Sequence, residues 1–508
     1  MLMAFAAIPL LLMVGVAVDL TRLYALRSRL VTATDAAALA GARAIADPTR
    51  DAQIRAWFWA NFTRRSATVT EGFLRATVTD IRVLTDPADS NVVRVQTTAT
   101  LPTTFMRLGE LVGMGNVALM TAKADQAARR QERGMELALV LDVTGSMSDS
   151  PGSGQPSKIA SLRNAATDLI NIMFGSRATV PNLWVSIVPY TTTVNIGRGR
   201  TGFLAPGSYD PGQFLPTVWR GCVEARMGGQ DMTDTPPAQA PFQPFRWRST
   251  LNQYSPYPGD NDWSTSGTNV PNEANPESPK SDSQQHSLGN SERGPNLSCE
   301  RALTPLIQSK ATLLSEIAAL RAGPDRGGTV TNQGLQWGWN NLSPRWRGLW
   351  GTANLPLDYN TPNMDKVLIL MTDGVNDLAD STAGAPGACT VTACTKPPGG
   401  ARAYVATTDS DYTSYGRLAE NRLGLTRVSS ANAITEFNRR TGVLCASIKA
   451  AGITVYTITF ALNNTTTQNL FRTCASKPEY YFNSPDATAL RGAFTEIGQQ
   501  LSNLRLVR

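Results

Sequence analysis

Oxygen-bearing side chains follow a buried apolar run in the segment "LALVLDVTGSMSD", residues 137–149. Asp142, Thr144 and Ser146 occupy alternate positions there, so their oxygens can converge on one point. A second carboxylate, Asp373, follows the apolar run "VLILMT". Few carboxylates, several hydroxyls and room for water suit a hard divalent cation such as Mg²⁺. The pattern therefore predicts a cation site built by these four residues.

A third loop, "GPDRGGTVTNQG", contains Thr329 after two glycines and before a segment of helical pattern. Taken alone, each loop is weak evidence, because aspartates at strand ends and GGT turns are usually caps and turns. Their joint occurrence inside an alternating strand and helix pattern favours a shared site. Thr329 therefore joins the predicted ligand set. Mg²⁺ is the favoured cation, and Ca²⁺ and Mn²⁺ are the alternatives.

The elements that must position these residues alternate between strands and helices. Strands are predicted at "MELALVLDV", "LWVSIVPY", "DKVLILMTDG" and "ITVYTITFAL", and helices at "SKIASLRNAATDLINIMF" and "DATALRGAFTEIGQQLSNL". Continuous apolar strands separated by amphipathic helices predict an α/β fold with a mostly parallel sheet covered on both faces. Ligands of such sheets bind at the carboxyl ends of the strands, where Asp142 and Asp373 lie.

The N-terminal part of the chain has a different pattern. Residues 1–18 are uncharged, which predicts a membrane-spanning helix that continues without a breaker to residue 46. A second helix at "DAQIRAWFWANFTRR" and strands at "TVTDIRVL" and "NVVRVQTTATLP" predict a small β-rich domain, with residues 122–134 as a polar linker. We therefore expect three regions, at residues 1–48, 49–130 and 131–508.

Six cysteines without a CxxC pair indicate disulfides in an oxidising compartment. We favour pairing of sequence neighbours over free buried thiols, namely Cys222 with Cys299, Cys389 with Cys394, and Cys445 with Cys474. The positive-inside rule points the other way, because Arg22, Arg27 and Arg29 follow the apolar run and would keep the main body in the cytoplasm. We expect a basic leader upstream of Met1 to resolve this conflict.

Composition argues against several function classes. The net charge of +7 is carried by scattered residues without a basic block, which argues against nucleic acid as a partner. The single histidine, His286, leaves little material for triads or His-rich zinc sites. The sequence also lacks a GxxxxGK[ST] loop, a nucleophile elbow and HExxH. An enzyme, whether a metal-assisted hydrolase or an ATPase-associated component, is therefore disfavoured.

The three loops "DVTGSM", "GGT" and "MTDG" resemble the metal-ion-dependent adhesion site of von Willebrand factor type A domains, whose pattern is Asp-x-Ser-x-Ser, a Thr and an Asp. The matching residues are Asp142, Thr144, Ser146, Thr329 and Asp373. Thr144 replaces the first Ser of the pattern and keeps its hydroxyl. The resemblance implies a Rossmann-like type A domain. In such domains the metal leaves one position for a partner's Asp or Glu, which implies a protein partner that supplies a carboxylate.

The N-terminal segment "AFAAIPLLLMVGVAVDLTRLYALRSRLVTATDAAALAGARA" resembles TadG-like subunits of tight-adherence, or Flp-type, pilus assembly systems, as do "GGTVTNQGLQWGWNNLSP" and the neighbourhoods of Cys445 and Cys474. In that family a pilin-like membrane helix precedes an adhesion-type domain. The resemblance implies a bacterial envelope protein with an inner-membrane anchor and a periplasmic or extracellular main body. Pilus assembly components are then partners. The alternative is a structural assembly subunit with a vestigial metal site.

Two insertions interrupt the type A pattern, at residues 198–300 and 375–428. The aromatic residues of the first form either a contact surface or a small core, and we favour the core. They are Trp219, Phe242, Phe245, Trp247, Tyr254, Tyr257 and Trp263. The second insertion leaves directly from the Asp373 loop. We therefore expect the second insertion to set partner specificity.

Overall fold

The structure of the 508-residue chain is a computed structural model. It describes residues 2–45, 47–62, 72–85, 92–107, 118–129, 133–249, 261, 263–267, 270–271, 293–324, 326–378 and 410–504. The chain divides into two compact units, one of residues 1–132 with 506–508 and the other of residues 133–505. Each unit is organised around its own buried apolar residues.

The smaller unit packs helices against an antiparallel sheet with strand order β1-β2-β3. Its elements are helices α1 (Leu2–Arg43) and α2 (Arg50–Phe62) and strands β1 (Thr77–Thr85), β2 (Val92–Pro102) and β3 (Leu119–Arg129). The prediction that one helix continues beyond the apolar run is confirmed by α1. In the part of the chain that the structure describes, no helix is long and apolar enough to cross a membrane.

Small side chains let α1 lie close to its neighbours in this unit. A Cβ atom on Gly41 would approach Ile54 of α2 to 2.6 Å and Val93 of β2 to 3.1 Å. The hydroxyls of Thr34 in α1 and Thr97 in β2 share a buried hydrogen bond of 2.7 Å. The Ala-rich face of α1 therefore packs within its own unit.

The predicted linker at residues 122–134 is wrong over most of its length. Residues 119–129 form β3, which pairs with β2 along the whole strand. Ala122, Ala124 and Ala128 face the core of the unit. Alanine is a weak apolar signal, and polar residues occupy the alternate positions, so the segment looked uniformly polar in the sequence.

The larger unit contains the six-stranded sheet that the sequence predicted as mostly parallel. The strands of the whole unit are β4 (Gly134–Asp142), β5 (Leu183–Tyr190), β6 (Val194–Asn195), β7 (Cys222–Val223), β8 (Thr304–Ile307), β9 (Met364–Thr372), β10 (Thr454–Phe460) and β11 (Tyr481–Ser484). The sheet order is β11-β10-β9-β4-β5-β8, and β8 alone runs antiparallel to its neighbour. β6 and β7 form a separate antiparallel pair.

Helices cover both faces of this sheet, so the predicted fold class is confirmed. They are α3 (Lys158–Phe174), α4 (Lys310–Ala318), α5 (Thr331–Leu342), α6 (Ser430–Ala450), α7 (Thr465–Cys474) and α8 (Ala487–Leu504). Side chains of β4 alternate between the two cores. Leu139 joins the core formed with α3, α4 and α8, while Val140 joins the core formed with α5, α6 and α7. Every residue of β4 is buried, as expected for a covered parallel strand.

Two glycines one turn apart let α5 approach the sheet closely. A Cβ atom on Gly334 would lie 2.5 Å from the ring of Tyr190, and one on Gly338 would lie 2.4 Å from Val140. All 12 residues of α5 are buried. Because α5 begins two residues after Thr329, this packing also fixes the end of the loop that contains Thr329.

Disulfides connect distant segments of the larger unit. Cys222 is bonded to Cys299 across 77 residues, and Cys445 to Cys474 across 29 residues, so both predicted pairs are confirmed. The predicted Cys389–Cys394 pair lies outside the described residues. The chain-entropy estimate gives roughly 4 kcal/mol of stabilisation for closing a loop as long as the first.

The described aromatic residues that the prediction named in the first insertion are buried. Trp219 and Phe242 belong to the core formed with α5, and Phe245 and Trp247 pack around the longer disulfide with Tyr412 of the second insertion. Trp263 is also buried. The favoured prediction of a buried core role is thus confirmed for these aromatic residues, but the prediction that they form a core of their own is wrong, because their core is shared with the rest of the unit. The two tyrosines named in the prediction lie outside the described residues.

Candidate metal centre

Asp142 is the last residue of β4, so its carboxylate lies at the carboxyl edge of the sheet. The Oδ1 atom accepts hydrogen bonds from Thr144, at 2.9 Å from the backbone N–H and 2.7 Å from the hydroxyl. The Oδ2 atom accepts one at 2.7 Å from the hydroxyl of Thr372, the last residue of β9. Groups from two adjacent strand ends therefore orient this buried carboxylate.

A chain of hydroxyls connects Asp142 to the second carboxylate. The polypeptide backbone turns through a short 3-10 helix, Gly145–Ser148, directly after Thr144. The Oγ1 atom of Thr144 lies 3.1 Å from Oγ of Ser146, and Ser146 Oγ donates to Oδ1 of Asp373 at 2.9 Å. The structure thus brings together the four residues that the alternate spacing and the strand ends had grouped in the sequence.

Thr329 reaches the same place from the third loop. Its backbone N–H donates to the carbonyl of Asp377 at 3.0 Å, and the N–H of Asp377 donates back to the carbonyl of Thr329 at 2.9 Å. A Cβ atom built on Gly374 would lie 3.7 Å from Oγ1 of Thr329 and 4.0 Å from Oγ of Ser146. The hydroxyls of Thr329 and Ser146 therefore face the same glycine beside Asp373. All five predicted residues lie at one edge of the sheet.

The loop that contains Thr329 is fixed by a buried ion pair. Arg326 donates to both carboxylate oxygens of Asp411, at 2.9 and 3.0 Å, and the N–H of Gly327 donates to the same carboxylate at 2.9 Å. The Arg326 guanidinium also lies 4.9 Å from the ring centroid of Trp247. Both insertions thus contact this loop, because Trp247 belongs to the first and Asp411 to the second.

Burial of two carboxylates in one place changes their acidity. Burial, followed by the negative charge of Asp373, raises the pKa of Asp142 to about 7, although hydrogen bonds from Thr144 and Thr372 oppose this rise. Burial also raises the pKa of Asp373, against the opposing effect of the Lys158 ammonium. A proton, an ammonium group or a metal cation would each relieve this desolvated negative charge.

The donor set is chemically suited to a hard cation. It offers two carboxylates and three hydroxyls, and hard divalent cations prefer oxygen ligands of this kind. Among the described residues, no group of three or more His, Cys, Asp or Glu side chains could hold a metal ion. The candidate site therefore depends on hydroxyls for most of its ligands. A cation with this few protein ligands keeps positions for water or for an external carboxylate.

Three residues at the site were not predicted from the sequence. Lys158, the first residue of α3, donates from Nζ to Oδ2 of Asp373 at 2.8 Å. The position of Lys158 at the start of the helix after the hydroxyl loop could have indicated its place at the site. The position of Thr372 immediately before Asp373 could have done the same. Asp411 gave no comparable signal, because 85 residues separate it from Arg326.

Residues 1–44 match the family model described as "Putative Flp pilus-assembly TadE/G-like". The N-terminal helix is thus similar to the segment that this model describes. The match confirms the predicted pilus-assembly resemblance over α1, and it ends one residue after α1. No curated protein is significantly similar in sequence to the chain.

Solved structures with similar folds include two pilus proteins and a byssus protein. The pilus adhesin SpaC from Lactobacillus rhamnosus GG has 11% identity and a TM-score of 0.36, over 86% of this chain and 37% of SpaC. The vWF domain of the type V pili tip protein Mfa5 from Porphyromonas gingivalis has 13% identity and a TM-score of 0.35, over 74% of this chain and 97% of that structure. Proximal thread matrix protein 1 from the mussel byssus, with a zinc-occupied MIDAS motif, has 11% identity and a TM-score of 0.30, over 74% and 48% of the two chains.

The chain thus spans 37% of SpaC but nearly the whole Mfa5 domain. With identities of 11–13% and TM-scores below 0.5, the fold assignment depends on the strand order and helix layers of this chain itself.

Proposed function

We propose that this chain is a pilus-associated envelope protein that binds a protein partner or a surface through a divalent cation. The cation would be held by Asp142, Thr144, Ser146, Thr329 and Asp373. The observation that carries this proposal is the convergence of the oxygens of Asp142, Thr144, Ser146 and Asp373, at successive distances of 2.7, 3.1 and 2.9 Å, with both carboxylates buried. The TadE/G-like N-terminal segment supports the pilus setting.

An open coordination position on the cation favours a carboxylate as the incoming group. Two ionised aspartates balance the two charges of the cation, and the positive charge of Lys158 beside Asp373 is offset by the negative charge of Asp149, which also acts on Asp373. A partner's Asp or Glu side chain would therefore be attracted by the cation itself, as an oxygen ligand. The protein ligands position the cation, and the partner's oxygen completes its coordination. This is a binding function, and no catalytic step forms part of the proposal.

Membrane anchoring is a separate part of the proposal. It is motivated by the uncharged run of residues 1–18, nearly all of which forms the first part of α1. Such an anchor would keep the chain in the inner membrane with its larger unit in the periplasm or outside the cell. We expect the protein to stay in the membrane fraction after an alkaline carbonate wash. Its release by that wash would contradict the anchor without affecting the metal site.

We further propose that the second insertion sets partner specificity, because it leaves the sheet next to Asp373. Residues 379–409 of this insertion lie outside the described residues. A deletion that tests the idea must retain Asp377 and Asp411, since both contact the loop that contains Thr329. Removal of residues 380–408 alone should change partner binding while leaving metal binding intact. Unchanged partner binding would reject this role.

Thermal unfolding tests the metal site directly. The oxidised full chain would be unfolded in Mg²⁺, Ca²⁺ or Mn²⁺ and without added metal, beside Asp142→Ala and a control, Asp358→Ala, at an exposed carboxylate. A cation at about 100 times its dissociation constant should stabilise the wild type and the control by roughly 2.7 kcal/mol. Asp142→Ala should show no such gain. A folded wild-type protein whose unfolding temperature responds to none of the cations would count against the proposal.

A second candidate is a structural assembly subunit that retains the fold but uses no metal. The observation that favours it is Lys158, whose ammonium already offers a positive charge to Asp373 at 2.8 Å. In that case the lysine would replace the cation permanently. The cation series described above separates the two candidates, because only the metal-dependent protein gains stability from added cation.

A further inference from the structure

The backbone of Lys158 is held in place beside the candidate metal centre. It is the first residue of α3, and its N–H donates to the carbonyl of Asp149 at 2.8 Å. The side chain of Ser157 caps the same helix by accepting from the N–H of Ala160. The next residue, Ile159, is fully buried in the core below. The Lys158 side chain therefore starts from a fixed point and extends toward Asp373.

The contact between Lys158 and Asp373 is shielded from water. The side chain of Lys158 is 12% exposed and that of Asp373 is 0% exposed, with 2.8 Å between Nζ and Oδ2. The other oxygen of Asp373 accepts from Ser146. Both carboxylate oxygens thus already have donors from the chain itself. An incoming cation that uses Asp373 must share this carboxylate with the lysine or displace it.

We propose that Lys158 is a built-in competitor of the divalent cation, whose ammonium must withdraw from Asp373 before the cation binds at full strength. This inference rests on the proposed function of the site. The lysine stabilises the site when cation is scarce and lowers its affinity for metal. Cation binding releases the ammonium, which then faces the position where a partner's carboxylate arrives. The residue therefore couples metal binding to the strength of partner binding.

The competition predicts that one variant is less stable without metal and binds metal more tightly. Lys158→Met removes the charge but keeps an unbranched side chain of similar length. Without metal, the variant leaves Asp373 buried with one donor fewer, so its unfolding temperature should fall below that of the wild type. Its dissociation constant for Mg²⁺ should fall by about tenfold, since a hydrogen bond to a charged group no longer has to be broken. If Lys158 had a purely structural role, its replacement would not tighten metal binding.

Lys310 provides a matched control. It is also the first residue of a helix, α4, it also follows a capping serine, Ser309, and its Nζ donates to the carbonyl of Gly175 far from the candidate site. Lys310→Met should bind Mg²⁺ like the wild type. Lys158→Arg keeps the positive charge and should retain the weaker wild-type affinity. Lys158→Gln removes the charge but retains an N–H donor, and it replaces the Met variant if that protein does not fold.

The measurements are calorimetric Mg²⁺ titration and thermal unfolding of the oxidised full chain. Tighter Mg²⁺ binding by Lys158→Met, with lower stability in the absence of metal, supports the competition. Mg²⁺ binding by the Met variant but not by the wild type overturns the competition, because the lysine would then replace the cation permanently, as in the structural subunit that uses no metal. Equal or weaker binding by the variant, when the wild type binds, overturns the competition and leaves the proposed function intact. Binding by neither protein overturns both.

Discussion

The candidate site consists of two halves that are held in place by different interactions. The strand-borne half comprises Asp142, Thr144, Ser146 and Asp373, which hydrogen-bond to one another and to Thr372 at adjacent strand ends. The loop-borne half is Thr329 with its two preceding glycines. Its position depends on Arg326, which is paired with Asp411 from one insertion and lies over Trp247 from the other.

This difference determines how each half can fail. The strand-borne half is supported by the packed sheet and by bonds between neighbours, so a single lost hydroxyl removes one of several connections. The loop-borne half is held by backbone hydrogen bonds with Asp377 and by a buried charge pair, and loss of one member of a buried pair is strongly destabilising. We therefore expect the loop-borne half to be the more easily disrupted of the two.

The largest effect is expected from Asp411→Asn. The change keeps the shape of the side chain but removes the carboxylate charge that pairs with Arg326, which is 6% exposed. Breaking a buried pair in this way should reduce the free energy of unfolding by about 3 to 5 kcal/mol. The loop-borne half should also loosen, so that Mg²⁺ binds more weakly. Chemical denaturation and Mg²⁺ titration measure the two effects.

Asp358→Asn is the control for this substitution. Its partner is also an arginine, Arg347, but its side chain is 72% exposed. Water screens such a pair, so the control should unfold nearly like the wild type. If Asp411→Asn were no less stable than the control, the buried pair would not be what holds the loop.

A smaller effect is expected in the strand-borne half from Thr372→Val. Valine has nearly the same shape but cannot donate to Oδ2 of Asp142, which accepts from this hydroxyl at 2.7 Å. The unfilled hydrogen bond should lower the free energy of unfolding by about 1 to 3 kcal/mol. Thr457→Val is the matched control, because its buried hydroxyl donates at 2.8 Å to Phe471 away from the site. Only Thr372→Val should also weaken Mg²⁺ binding.

The pH dependence of stability also distinguishes the two halves, because both candidate carboxylates belong to the strand-borne half. The pKa of Asp142 is about 7 in the folded protein, against an ordinary value of 3.8. Between these values the folded chain holds a proton that the unfolded chain has lost. Without metal, this group therefore makes the free energy of unfolding fall as pH rises from about 4 to about 7.

Metal binding should show the opposite dependence. The cation must displace the Asp142 proton, so the affinity for Mg²⁺ should fall by up to about tenfold for each pH unit below pH 7. Titrations between about pH 8 and about pH 6 measure this slope. Thr329→Val should bind Mg²⁺ more weakly but retain the slope, since threonine does not titrate in this range. An affinity independent of pH in the wild type would contradict the shifted acidity of Asp142.

The same division explains what could be predicted from the sequence. Apolar runs ending in Asp142 and Asp373 predicted the strands, their parallel arrangement and the meeting of the carboxylates, because each signal lies within a few consecutive residues. The ion pair between Arg326 and Asp411 has no local signature, since an isolated aspartate in a long insertion is usually a solvated residue. Strand β3 was missed for a different reason, because its inward face is lined mainly by alanines.

The Cys222–Cys299 bond has a consequence for the integrity of the molecule after proteolysis. Because the bond joins two points 77 residues apart, a cut at any peptide bond between them leaves both fragments covalently attached. On a gel the cut protein would run as one species without reductant and as two with it. A molecule nicked within this segment outside the cell would therefore still connect its N-terminal part to Asp373 until a reductant reached the disulfide.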